Sequence, residues 1–211
     1  MAEIGIFKKA VLNNLVSWKE GEILILSVPV FAIPTYSYIE LIDTLKQKLP
    51  DTENILYNIG EKQTILAVEY AIKKFGFKKS KTEIIKSVLE QSALLGLGNF
   101  KIIKVDFKTG RATFKNNTNP FGKHYKITKG VQKKPVDAYI CGTMAGIIKS
   151  ITNKKVICVE TKCLAMGDSC CIFEVKPINK SSIKTYNSSK SAEELKEGMK
   201  KEKGIYTKGR I

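Results

Sequence analysis

Apolar and polar positions divide the chain into a helical first half and a later half of strands around one strongly apolar helix. Residues 4, 6, 11, 12, 15 and 16 trace a loose helical stripe that ends before Gly21, predicting an N-terminal helix or arm. Glu22 to Val30 is short and rich in Ile, Leu and Val, so it reads as one buried strand between Gly21 and Pro29. Pro34 opens a helix that reaches Leu49, with Thr35 or Ser37 placed to cap it. Pro50, Asp51 and Thr52 end that helix and cap the next, which runs to Lys74 ahead of Gly76. A third helix spans Ser80 to Leu95. Ser80 and Glu83 form a capping box at its start, and Gly96 and Gly98 stop it.

From Phe100 the period changes. Ile102, Ile103 and Val105, a turn at Thr109 and Gly110, then Ala112, Thr113 and Phe114 describe a β-hairpin. Residues 116–134 are polar and broken by Pro120, Gly122 and Gly130, which suggests a surface loop or a short irregular helix. Pro135 begins a helix ending near Asn153, whose Gly142, Ala145 and Gly146 let it lie close to a neighbour. A second hairpin follows, from Val156 to Lys162 and from Cys171 to Val175. The predicted fold class is α+β, an antiparallel sheet of hairpins packed with several helices, with an N-terminal helical arm and a basic C-terminal tail. The domain reading is an arm over 1–20, one domain over 21–176 and a basic tail over 177–211.

Composition supports a real core, since 43% of the 211 residues are hydrophobic. The formal charge of +16 requires a strongly positive surface. Residues 176–211 hold ten Lys and Arg and four Asp and Glu, so +6 of the charge lies there. Association with nucleic acid rests on charge alone, because the chain has few arginines and no interleaved aromatics. No apolar run approaches the roughly 18 to 20 residues that span a bilayer. Met1 to Ala10 lacks the apolar core and cleavage site of a secretory signal, so the chain reads as cytoplasmic and free of membrane.

The five cysteines all fall between 141 and 171, an odd number that suggests no secreted disulfide framework. Glu160 and Cys163 are followed, after seven residues, by Cys171. A hairpin there would bring both thiols near enough to share a tetrahedral metal. Glu160 and Cys163 would face opposite sides of an ideal strand, so ligation by both requires a bulge. Cys158 and Cys170 read as core or strand residues. Cys170 precedes Cys171 directly and should point to the opposite face. His124, the only histidine, reads as a solvent-facing residue, and Gly96 with Gly98 lacks the remainder of a phosphate loop.

Pro135 to Gly146, Glu160 to Cys163, Gly167 with Asp168, and Cys171, Ile172, Phe173 together resemble, in order and spacing, the 4-vinyl reductase (4VR) domain family. The resemblance implies an α+β domain that encloses a small hydrophobic ligand, alone or as the sensory input of regulators that respond to aromatic compounds. It also implies a structural zinc held by Cys, Glu, Cys and Cys. Position by position, three ligands correspond to Glu160, Cys163 and Cys171, and the first cysteine of the pattern corresponds to Asp137. Cys141, one helical turn after Asp137 on the same face, is the rival fourth ligand.

The resulting expectation is a small-ligand sensor or carrier without catalysis of its own, since no nucleotide fingerprint or acid–base constellation is present. The alternative is a reductase-type enzyme acting on a hydrophobic or tetrapyrrole-like substrate. Between the helices and the two hairpins the available faces are Ile, Leu, Val, Phe and Tyr, which favours an apolar or aromatic guest. Cys158 is the residue expected beside that guest. The apolar element from Ile4 to Trp18 has no evident place in the core and predicts a homodimer.

Overall fold

The computed structural model describes residues 16–25, 28–75 and 80–178. The helix expected over residues 4–15 and the basic tail beyond 178 lie outside the described residues. The chain begins with a three-stranded meander of β1 (Val16–Lys19), β2 (Glu22–Ile25) and β3 (Val28–Val30). Glu20 and Gly21 join the first two strands with φ of 50° and 86°. That backbone suits a two-residue hairpin turn, whose positive φ values match the strand twist. Gly21 therefore lies inside a hairpin rather than at the end of a helical arm, and the single strand expected over Glu22 to Val30 is two strands. Alternating Ile and Val carries no mark of where one short strand stops and the next begins.

Three helices follow: α1 (Thr35–Lys48), α2 (Thr52–Phe75) and α3 (Lys81–Leu94). Pro34 occupies the N-cap of α1 without any side-chain cap bond, so neither Thr35 nor Ser37 acts as a cap. At α3 the capping box is complete, with Ser80 and Glu83 each bonding to the other's backbone N–H. A second sheet has the order β4-β5-β7-β6, built from the hairpins β4 (Phe100–Asp106) with β5 (Arg111–Asn116) and β6 (Val156–Lys162) with β7 (Cys171–Pro177). All of its pairings are antiparallel.

Between the hairpins lie α4 (Pro120–Lys129) and α5 (Ala138–Thr152). Helix α5 is buried almost all round, lying between the sheet and α2. Its contact with α2 is backbone on backbone. A Cβ at Gly142 would stand 1.9 Å from the Tyr57 carbonyl oxygen, and one at Gly60 would stand 2.1 Å from that of Tyr139. Glycine is required at both places because no side chain fits. The expected close approach is thus made with α2, and Tyr57 reaches past α5 to accept the Cys158 N–H at 2.9 Å. Among the described residues no helix is long and apolar enough to cross a membrane.

Candidate metal centre and adjoining cavity

Strand β6 carries the extra residue that Glu160 and Cys163 require. Its pairing with β7 slips between Glu160 and Lys162, leaving Thr161 unopposed. Thr161 and Lys162 are both exposed, while Glu160 before them and Cys163 after them are buried. The bulge cancels the alternation that would otherwise turn Cys163 outward. The turn that follows is held by Asp168, whose carboxylate accepts the Cys163 N–H at 2.8 Å, and Gly167 adopts the left-handed φ of 97° that the turn needs.

Asp137 occupies the N-cap of α5 but makes no side-chain cap bond. Its carboxylate turns instead toward the hairpin. Oδ2 accepts from Asn119 Nδ2 at 2.6 Å and lies 3.8 Å from Cys171 Sγ, while the Asp137 N–H donates to Glu160 Oε2 at 3.3 Å. One ligand atom each from Asp137, Glu160, Cys163 and Cys171 falls within 4.8 Å of the others, and all four residues are buried.

Four acidic groups in one dry pocket cannot all ionise unaided. Burial, then the facing Glu160, pushes the Asp137 carboxyl well above the usual carboxylate range. Burial, then Cys163, pushes Glu160 up to about 8. Cys163 is drawn down to about 6, chiefly by the hydrogen bond from the Cys171 thiol, and Cys171 is pushed up as it keeps the shared proton.

The fit to a divalent cation rests on two oxygens. Asp137 Oδ1 and Glu160 Oε1 are buried without any hydrogen-bond partner, an arrangement that is costly unless a positive group completes it. Ligands at about 2.0 to 2.3 Å from a tetrahedral ion lie about 3.3 to 3.8 Å apart, so a small contraction of the cluster suffices. Two thiols and two carboxylates are a donor set that can hold a metal. Cys141 is not part of this group: it hydrogen-bonds Cys158 in the core. Cys170 is buried but also outside the cluster.

Asn119 joins the site without having been singled out by the sequence pattern. It is wholly buried, caps α4 by accepting the Gly122 N–H at 3.2 Å, and directs its amide to Asp137 and, at 3.3 Å, to Cys171 Sγ. Asn followed by Pro is an N-cap followed by a first helical residue. That pair is the signal that could reveal both the helix and the side chain aimed at the cluster.

Asn119, Val136 and Asp137 also form one wall of a cavity of about 470 Å³. The rest of its lining comes from residues 29–33, α1, α2, the loop after α3, and the first turns of α4 and α5. It is mainly aliphatic and aromatic, and no Lys, Arg or His lines it. Its polar groups include Tyr38, whose hydroxyl is pushed up to about 12 mainly by burial, and Tyr139, which donates to Gln63 Oε1 at 2.7 Å. The two hairpins of the large sheet contribute no lining residue, because α5 stands between them and the cavity. Cys158 accordingly lies in the core of that sheet, outside the lining. His124 is exposed on α4.

Comparison with known proteins matches residues 128–177 to the vinyl-4-reductase domain model. The Methanocaldococcus jannaschii protein MJ1460 is 24% identical over 174 residues, 82% of this chain and 96% of its own length. The phenol-responsive sensory domain of the transcription activator PoxR, solved with phenol, superposes with a TM-score of 0.72 at 15% identity, covering 85% of this chain and 96% of that one. A vinyl-4-reductase family protein from Methanocaldococcus jannaschii gives 0.50 at 20% identity, with coverage of 71% and 85%. The hairpin bearing Glu160, Cys163 and Cys171 falls within the matched segment, and the chain belongs to the 4-vinyl reductase domain family.

Proposed function

We propose that this chain is a sensory or carrier domain that encloses one small, neutral, hydrophobic or aromatic molecule, and that a structural zinc braces the wall beside it. The observation that carries this reading is the cavity of about 470 Å³, which is lined by apolar and aromatic residues and by no cationic side chain. Its size lies within the range of small-molecule sites. An ionised carboxylate or phosphate entering it would lose water and find no counter-charge, whereas a neutral guest contributes roughly 0.8 kcal/mol for each methylene it buries. Tyr38, Tyr139 and Gln63 offer hydrogen bonds to one polar group of the guest. The similarity to a sensory domain solved with phenol supports the same class of guest.

Zinc suits the two thiols of Cys163 and Cys171, and the oxygens of Asp137 and Glu160 complete four positions with none left open for a substrate. Bound there, the ion would neutralise the four acids and join the start of α5 to both strands of the last hairpin. The chain is also proposed to form a homodimer through its N-terminal segment, a reading supported by Trp18, which β1 leaves 58% exposed.

A thermal-shift panel of phenol, indole, benzoate and a sugar phosphate tests the cavity. Stabilisation by phenol or indole and not by the anions is expected; stabilisation by the sugar phosphate alone, or by no compound, overturns the reading. Elemental analysis of protein purified without chelator is expected to find one zinc per chain.

A further inference from the structure

The large sheet has a second face, directed away from α5. On the inner face stand Phe114, Phe173 and Val175, all buried. The alternate positions are exposed or half-buried and divide into two territories. On β4 and β5, Lys101 stands directly opposite Lys115, and the bulge at Ile103 leaves that residue and Lys104 both exposed. On β7 and β6 the same face shows Ile172, Ile157 and Val159, the last 40% exposed, with Lys162 paired beside Ile172.

Two lysines directly opposite each other repel and weaken a sheet. Among the described residues, Lys101, Lys104 and Lys115 form no salt bridge. The acids nearby are already engaged: Glu174 pairs with Lys176 at 2.6 Å, and Asp106 accepts from the Lys108 N–H and the Thr109 hydroxyl of its own turn. The face therefore carries positive charge with no internal partner, set beside an aliphatic patch.

We infer that this outer face docks an acidic protein partner, whose carboxylates lie over the lysines of β4 and β5 and whose apolar side lies over β6 and β7. An apolar patch with a charged margin is the anatomy of a protein interface. A polynucleotide would leave the aliphatic half uncovered and would find no aromatic side chain among the residues of this face on which to stack a base. A lipid surface calls for protruding apolar side chains, and Ile157 and Ile172 are half-buried in a flat sheet. A second copy of this face would bring no acids to neutralise the lysines. The inference is independent of the cavity and of the metal.

The test is fluorescence anisotropy on the full chain with a labelled amphipathic peptide bearing Glu on one face and Leu on the other. Binding that weakens with salt is expected. Lys101→Glu combined with Lys115→Glu should weaken it about tenfold, and Val159→Ser should weaken it by a smaller factor. Lys123→Glu with Lys126→Glu makes the same charge change at exposed positions on α4 and should alter binding by less than about twofold. Lys101→Gln with Lys115→Gln guards against misfolding of the reversed variant, and the phenol shift reports that the cavity is intact. The inference is overturned by absence of peptide binding at low salt, by equal loss in both double variants, or by tighter binding of an oligothymidylate or of phosphatidylserine vesicles through the same lysines.

Discussion

The metal cluster and the cavity share a wall, yet opposite electrostatics govern them. Asn119, Val136 and Asp137 line the cavity and also bond to members of the cluster. On one side, four acidic side chains leave two buried oxygens without partners. On the other, the lining has no cationic group and is mostly apolar. The first arrangement holds together when a cation arrives, and the second works by excluding charge. A single turn of chain before α5 serves both because Asp137 directs its carboxylate toward the hairpin, while Val136 and Ile140 present apolar surface to the cavity.

The largest effect is expected from a change that disturbs both sites at once. Gly142→Val would drive the new side chain into the Tyr57 carbonyl and push α5 off α2, costing about 3 kcal/mol or more. Chemical denaturation should show the loss, and both metal and guest binding should fall together. If only one of them falls, the two sites do not share this support.

Metal removal should separate them. Zinc at a hundred times its Kd contributes about 2.7 kcal/mol that chelator abolishes. Cys171→Ser should make the melting temperature insensitive to chelator. The pH dependence should also reverse. In the chelated protein, Glu160 keeps its proton up to about 8, whereas the unfolded carboxyl releases it near 4.5. Between about pH 4.5 and 6 the folded state binds more protons, so stability falls as pH rises. Above about 6 the lowered Cys163 acts in the opposite sense. With zinc bound, protons compete with the metal for the same ligands, and stability rises with pH over that window. Melting curves with and without chelator at several pH values check both signs.

A smaller effect confined to the cavity is expected from Val30→Trp, which lies on its wall. It should reduce the phenol-induced shift while zinc content stays at one per chain. The smallest is Ser80→Ala, which removes the α3 cap and should cost about 1 kcal/mol without touching either site.

Particular elements show why parts of this structure are legible in the sequence. The box at Ser80 and Glu83 and the spacing of Gly142 and Gly146 are read within one helical turn, and each appears in the structure as read. The bulge in β6 follows from the demand that Glu160 and Cys163 face the same way, and it is present. The meander reads as a longer strand because short apolar runs carry no internal punctuation. Helix α4 reads as either loop or helix because Gly122 and Gly130 mask the cap at Asn119.

The class of fold, the order of helices and hairpins, and three acidic groups at a spacing suited to a metal are written in the chain itself, because each follows from residues a few positions apart. Packing sets what remains. Asp137 and Cys141 lie on the same face of one helix, and only the docking of α5 against α2 and the sheet places Asp137 at the hairpin and Cys141 beside Cys158. Cys158, expected beside the guest, lies instead across α5 from the cavity, since two glycine contacts draw α5 into the gap between. The contacts that build the cluster join residues 18 to 52 positions apart. No local pattern encodes such separations; they arise when buried surfaces are packed together.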